Sequence, residues 1–404
     1  MAVIRPFRAL RPHPDLAPRV AAVPYDVVNV EEARALAHGN ELSFLHVSRA
    51  EIDLPVETDP YSDVVYERAR ANFDRLRSAA LVEESYAALY FYRLRMGEHE
   101  QTGLAACYSI EEYTQGLIKK HENTRAAKED DRTLHMACLR AQTGPVFLTY
   151  RPQRSIDVLR ARVCAGEPLH DFVAEDGVRH TLWRAEPDTC EALLTAFGDV
   201  SELYIADGHH RAASAGRAHA AMAAADAAGE HAWFLAVAFP DDEVQILPYH
   251  RVVKSLPGVN EAQFLEALGR CGTLEPGGPS PSRKGQCGLY VDGSWRTLTL
   301  QSRIAGSTDP TATLDAAVLQ ETVLGPVLKI GDPRTDARID FVGGIRGTGE
   351  LERLVQSGQA AVAFSMYPVS VAELMAVADA GAIMPPKSTW FEPKLRDGLL
   401  VHVI

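Results

Sequence analysis

A mixed α/β fold, α+β in its outer parts, is the class this sequence predicts. Three observations carry the expectation. Strand-like apolar runs alternate with helix-period segments along the whole chain. The central stretch from Glu202 to Arg217, ELYIADGHHRAASAGR, reads as strand, tight turn and helix. At 404 residues the chain exceeds one typical core. Three segments are expected: 1–150 as an N-terminal α+β lobe, 151–255 as the central strand-turn-helix unit, and 256–404 as a C-terminal α/β lobe, with mixed-sheet lobes on either side of the centre.

Taken in order, residues 4–24 are rich in Pro and Arg and read as an extended surface segment. Asp26 or Asn29 caps a helix over VEEARALAHGN, which Gly39 and Asn40 stop. Residues 43–47 read as a strand running into Arg49, Glu51 and Asp53. Residues 63–80 repeat Val64, Val65, Ala69, Phe73 and Leu76 at helical spacing. Two strands follow, 87–94 and 102–110, joined by a turn over 97–101. The densest charge lies in 119–144, KKHENTRAAKEDDRTLHMACLRAQTG. On a helix Arg125, Lys128 and Arg132 share a face, with Thr124 beside them and His121 one turn earlier. An anion-binding face and a solvated face held by i,i+4 ion pairs fit this run equally.

Residues 145–150 form a buried-strand candidate, and 151–200 read as helix, strands and helix. Residues 203–206 are the strand of the central unit, the Ala-rich 212–228 its helix, and 233–239 the next strand. Beyond 255 the composition changes: 271–288, CGTLEPGGPSPSRKGQCG, reads as a flexible loop. A hairpin turning at Asp292-Gly293 follows, then a helix over 314–323, a strand over 339–342, a helix over 348–357, a strand over 360–366 and a helix over 371–380. Gly343-Gly344-x-x-Gly347 does not match a dinucleotide-binding loop and reads as a turn.

Chemistry concentrates at Asp207, Gly208, His209, His210 and Arg211. A strand that turns through Asp-Gly into a helix leaves the first helical N–H groups unpaired, which suits an anion. A carboxylate, two imidazoles and a guanidinium add groups that bind phosphate and move protons. A plain turn with Asp207 as N-cap is the structural alternative. Near the other end, MPPKSTWFEPK (384–394) is stiffened by proline and carries Lys387, Ser388, Thr389 and Lys394, which suit phosphate.

With 54 acidic against 41 basic residues the net charge is −13, which argues against a general nucleic-acid binder. Six scattered cysteines without C-x-x-C spacing fit buried thiols of a reducing cytosol, so a cytoplasmic location is expected. No apolar run is long enough to be a signal peptide or a membrane span.

The motifs VPYDVVNVEEA, SFLHVSRAEIDLP, KKHENTRAAKEDDR, YIADGHHRAA, YHRVVK and MPPKSTWFEPKLRDGL, in that order, resemble the bacterial and archaeal family catalogued as domain of unknown function 1015. More distantly, ADGHHR with its flanking strand and helix is similar to the signature turn of the ParB and sulfiredoxin superfamily, which makes the centre a ParB-like unit. That superfamily binds nucleotide phosphates and includes a free L-serine kinase. The resemblance implies that the turn lies against a phosphate chain and that carboxylates act near an acceptor hydroxyl. Positions 209 and 210 are His where sulfiredoxin chemistry needs Cys, so that chemistry is not implied. The basic DNA-binding helices of ParB are absent as well.

The leading expectation is a kinase that moves a phosphoryl group from ATP, ADP or pyrophosphate, with Mg²⁺, to a small molecule such as L-serine. Asp207, His209, His210 and Glu51 are the expected catalytic residues, with Asp207 also holding the metal. Gly208, His210, Arg211, His121, Thr124, Arg125, Lys128, Arg132, Lys387, Ser388, Thr389 and Lys394 are expected to bind the donor. Tyr25, Asp26, Arg49 and Trp390 are expected at the acceptor. A nucleotide-binding switch with little turnover is the alternative. Metal-dependent hydrolysis on His209, His210 and Asp207 ranks last, because adjacent histidines on one turn do not both reach one ion. Neither nucleic acid nor membrane is an expected partner.

Overall fold

The structure, a computed structural model, describes residues 2–223, 229–256, 258, 260–301 and 307–404. Its fold is mixed α/β, as the sequence predicts, with a mixed sheet and several smaller sheets. The chain divides into two units where the sequence predicts three segments. One comprises Met1–Val244 and Pro393–Ile404, the other Gln245–Glu392. The central strand-turn-helix does not stand apart, because its strands pair with those of the N-terminal part.

The first unit is built on nine strands: β1 (Ile4–Arg5), β2 (Tyr90–Met96), β3 (His99–Ser109), β4 (Ile118–Lys119), β5 (Val146–Tyr150), β6 (His170–Val173), β7 (Arg179–Arg184), β8 (Leu203–Asp207) and β9 (Trp233–Pro240). Their order is β4-β8-β5-β9-β3-β2-β7-β6, with β1 on β3. The β8–β4 and β9–β5 pairs are parallel, and the others are antiparallel. Every residue of β5 is buried. Such a strand reads as a continuous apolar run because both of its faces are covered.

Among the helices of this unit are α1 (Val30–Ala37), the single turn α2 (Leu45–Ser48), α3 (Asp63–Ala80), α4 (Ala126–Leu139), α5 (Arg154–Cys164), α6 (Pro187–Phe197) and α7 (His209–Met222). Asn29 rather than Asp26 caps α1, through a capping box with Glu32. The expected strand over 43–47 is instead the turn α2. Five apolar-rich residues carry too little periodicity to separate strand from helix, and packing decides. Phe44, Leu45 and Val47 bury into a cluster with Ala69, Phe73 and Leu76 of α3. Asn72 on α3 donates to the His46 carbonyl at 2.7 Å and fixes the turn. Helix α7 starts at His209, three residues earlier than predicted; residues 224–228 of the predicted helix lie outside the described residues.

The second unit is an antiparallel six-stranded sheet with helices α8 (Glu261–Gly269), α9 (Gly347–Gln356) and α10 (Val371–Asp379). Its strands lie in the order Gly272–Pro276, Ser294–Leu300, Gln286–Val291, Val362–Met366, Tyr249–Val253, Ile339–Gly343. Part of the expected flexible loop is therefore strand: Gly272–Pro276 pairs with Ser294–Leu300, because Leu274 joins the apolar core there. The hairpin turn is at Asp292-Gly293, both at positive φ, the twist that two-residue hairpins favour. A separate pair, Gln245–Leu247 with Trp390–Glu392, sets Gln245 opposite Glu392.

No helix among the described residues is long and apolar enough to cross a membrane. All six cysteines are free thiols.

Candidate functional site

At the end of β8 the pairing with β5 slips between Ile205 and Asp207, which turns the strand out of the sheet. Gly208 takes φ +89° and caps α7, a conformation that costs other residues steric energy. A Cβ there would also lie 3.2 Å from the Arg211 guanidinium. The turn so formed presents the first N–H groups of α7, with Asp207 before and Arg211 after them.

Asp207 is engaged on both oxygens. Lys394 Nζ donates to Oδ2 at 2.9 Å and the Gly208 N–H donates to Oδ1 at 2.8 Å. Burial pushes this carboxyl up, but Lys394 and Arg211 outweigh it and hold it well below the usual range. Arg211 is buried. Its Nη1 donates to the Pro145 carbonyl, its Nη2 lies 3.8 Å from Asp26 Oδ2, and its Nε has no partner among the described residues. Burial lowers its pKa; Asp26, Asp207 and Asp397 more than reverse that, so it stays charged.

Behind the turn lies a cavity of ≈ 40 Å³, lined among others by Tyr25, Ser48, Arg132, His135, Arg211 and Asp397. That is room for a few water-sized groups. Four buried polar atoms have no hydrogen-bond partner among the described residues: Tyr25 Oη, Ser48 Oγ, Arg211 Nε and Asp397 Oδ1. Orphans of this kind are rare in native interiors and imply a missing partner. Arg132 stacks on the Tyr25 ring at 4.2 Å and donates to Asp131 at 2.8 Å and to the Ser48 carbonyl at 3.3 Å. Asp397 is 2% exposed. Burial raises its carboxyl to about 7, against the pull of Arg211 and with a further push from Asp26. Gly144 is required beside it, since a Cβ there would fall 2.3 Å from Asp397 Oδ1.

On the other side of the turn, the parallel pairing of β4 with β8 carries His121 and Glu122 up to His209. The His121 and His209 rings meet edge to face, centroids 4.5 Å apart, and the His121 N–H points at His209 Nε2 from 3.5 Å. Burial holds the His121 imidazole down at about 4, against the Asp207 carboxylate and, less, the Ile205 carbonyl. His210 Nε2 accepts the Arg125 N–H at 3.1 Å, which places the imidazole proton on Nδ1. Burial, then Lys128, lower its pKa. Helices α4 and α7 are tied by Ser214 to the Glu129 carbonyl at 3.1 Å and by Arg217 to Glu129 at 3.2 Å. Two helix N-termini thus open near each other, with Lys128 and Arg125 at the mouth of α4. His121 precedes α4 rather than lying one helical turn back on it.

The structure therefore brings together, in the first unit, Tyr25, Asp26, His121, Arg125, Lys128, Arg132, Asp207, Gly208, His209, His210, Arg211 and Lys394. Thr124 is occupied with Glu129, to which its hydroxyl donates. Glu51 is buried and paired with Arg49 at 3.0 Å. Lys387, Ser388, Thr389 and Trp390 belong to the second unit. There Lys387 lies over the Tyr249 ring at 5.3 Å and the Ser388 hydroxyl donates to the Pro385 carbonyl at 2.7 Å. Gly343 begins the turn that the sequence indicated. Sequence reasoning missed Asp397, Ser48, His135 and Gly144. The one available signal was Asp397-Gly398, one of four Asp-Gly pairs in the chain, all with glycine at positive φ. Mg²⁺ was expected on Asp207, whose two oxygens each accept one hydrogen bond in this structure.

A family model described as "Protein of unknown function (DUF1015)" matches residues 4–317. No curated protein matches the chain significantly. Solved structures similar to it include a conserved hypothetical protein from Pyrococcus furiosus, at 13% identity over 74% of this chain and 95% of that one, TM-score 0.36. SbnI with a C-terminal truncation, from Staphylococcus aureus, is similar at 14% identity over 74% and 87%, TM-score 0.39. Free serine kinase in complex with AMP is similar at 13% identity over 74% and 92%, TM-score 0.37. At these values the likeness is distant.

Proposed function

The chain belongs to the DUF1015 family of proteins of unknown function, and we propose that this member is a small-molecule kinase. It transfers a phosphoryl group from ATP, ADP or pyrophosphate to a hydroxyl, with L-serine the leading acceptor. The observation that carries this reading is the polar cavity behind the Gly208 turn. In it a buried carboxylate with an unpartnered oxygen, Asp397, sits near a buried arginine with an unpartnered Nε, Arg211.

The donor's terminal phosphate is assigned to the turn, where the α7 N-terminus, Arg125, Lys128 and Lys394 gather positive potential and the neutral His210 offers its Nδ1–H. Phosphoryl transfer asks mainly for such clamps and for an aligned nucleophile. The acceptor hydroxyl is assigned to the cavity, which has room for a hydroxymethyl end but not for a nucleotide. Its oxygen attacks the terminal phosphorus, the bond from phosphorus to the donor's bridging oxygen breaks, and the proton passes to Asp397. A carboxylate held at about 7 is suited to that task. Asp207, held strongly acidic by Lys394, is a poor base and is assigned instead to positioning that lysine.

A nucleotide-binding switch is the second reading. It is favoured by the Asp207–Lys394 pair, because a lysine already matched by a carboxylate has less charge to offer a phosphate. The test is purified protein incubated with ATP, ADP or pyrophosphate against amino acids and polyols, read by phosphate NMR, with thermal shift for donor binding. A phosphomonoester signal requiring both donor and acceptor is expected. Donor protection without transfer points to the switch, and the absence of both refutes the two readings together.

A further inference from the structure

His121 is 2% exposed, yet neither ring nitrogen has a hydrogen-bond partner among the described residues. One ligand atom from each of His121, Glu122 and His209 lies within 4.8 Å of the other two. The three are not brought together by a wandering loop. Leu203 and Tyr204 of β8 pair in register with Ile118 and Lys119 of β4, so the sheet sets the two following segments side by side. From the geometry we propose that His121, Glu122 and His209 bind a first-row transition-metal dication of the zinc class.

Two imidazole nitrogens and one carboxylate oxygen are donors that such ions favour and that Mg²⁺ does not. Three protein ligands leave a fourth position for water or an anionic oxygen, the pattern of an open rather than a closed zinc site. The neighbouring donors are committed elsewhere. Asp207 accepts from Lys394 and from the Gly208 N–H, and His210 Nε2 accepts from the Arg125 N–H. Ligand bonds of about 2.0–2.2 Å in a tetrahedron put donor atoms roughly 3.3–3.6 Å apart, so the trio need close by no more than about 1.5 Å on binding. Rotation of the half-buried Glu122 side chain is the simplest route. The bound ion would supply the buried His121 ring with the partner it lacks, and would tie the entry to α4 to the first turn of α7. This metal site does not rest on phosphate transfer, although His209 opens α7 beside the turn assigned to the donor.

The full chain, stripped with chelator and free of nucleotide, should be titrated with Zn²⁺, with Co²⁺ and with Mg²⁺. One Zn²⁺ per chain is expected after dialysis, Co²⁺ should show visible bands of a low-coordinate nitrogen–oxygen site that Zn²⁺ abolishes, and Mg²⁺ should not compete. His121→Ala and Glu122→Gln should each weaken Zn²⁺ by at least about 100-fold, the upper end of what losing even an outer partner costs. The chain carries 14 histidines, so surface binding must be separated from this site. Affinity unchanged in Glu122→Gln, or no stoichiometric binding by the wild type, overturns the proposal. If His121→Ala does not fold, Glu122→Gln decides alone. Its Zn²⁺ protection, the rise in melting temperature of metal-loaded over metal-free protein, should be lost.

Discussion

Replacing Asp397 by Asn tests the base assignment and the burial argument in one variant. Asn has nearly the same shape, so the cavity and its Gly144 wall are kept while the charge is removed. Folding raises this carboxyl from 3.8 to about 7. At ~1.36 kcal/mol per pK unit, that displacement corresponds to about 4 kcal/mol. Its sign follows from proton uptake. Between about pH 4 and 7 the folded state holds a proton that the unfolded state has released, so stability declines as pH rises through that window and the penalty is complete above it. The Asn variant carries no such penalty. It should match the wild type near pH 4, gain steadily on it up to pH 7, and exceed it by up to about 4 kcal/mol at pH 8.5. Transfer to the acceptor should meanwhile fall about 10²–10⁴-fold, the usual worth of general-base help, with donor affinity little changed. The assays are melting temperature across pH 4–8.5 and acceptor-dependent phosphate transfer at saturating donor. Full transfer by a stabilised variant would remove Asp397 as the base. A pH profile parallel to the wild type's would refute the raised carboxyl itself.

Gly144→Ala should force a methyl group against Asp397 Oδ1, destabilise the fold by about 1–3 kcal/mol and cut transfer while sparing donor affinity; calorimetry and the same transfer assay read both effects. Gly208→Ala places a Cβ at φ +89° and near Arg211. A stability loss of about 1–2 kcal/mol with weakened donor binding in thermal shift is expected, and unchanged donor binding would detach the turn from the phosphate. Lys394→Met leaves Asp207 without its ammonium. Because the Asp207 side chain is 28% exposed, the loss near neutral pH should be about 1–3 kcal/mol, less than for a fully buried pair. The Asp207 carboxyl is depressed in the folded state, so this stability exists above the usual carboxylate range and the deficit should shrink as pH falls below it. A deficit constant with pH would mean that the lysine acts through packing alone.

What could be read from the sequence was local. The strand, Asp-Gly turn and helix at 203–222 are contiguous, and their propensities agree with one another. Helix α3 shows its buried face as a simple spacing, and the Asp292-Gly293 hairpin carries its turn chemistry in two residues. The turn α2 was misread because packing, not propensity, chose between two short structures. The cavity was not legible at all. Asp397 meets Arg211 across 186 positions, and nothing near either residue in sequence announces the other. Lys394 was named from its stiff loop and phosphate chemistry, whereas its partner in the structure is the carboxylate of the turn. The chain has four Asp-Gly pairs, so the one at 397–398 gave no reason to look there.

The division of the chain also sets a schedule for synthesis. Gln245 faces Glu392 across a two-stranded pair, so the second unit closes on itself as one insertion in the sequence of the first. The nine-stranded sheet is fully translated by Pro240, but Lys394 and Asp397 emerge only after the whole second unit has been made. At about 5–20 residues per second that interval is on the order of ten seconds. During it the nascent turn holds Asp207 without its lysine and Arg211 without one of its three carboxylates. The turn and the cavity behind it are therefore completed only once residues 394–397 have been made, and the ribosome-bound chain passes through this wait with both unfinished.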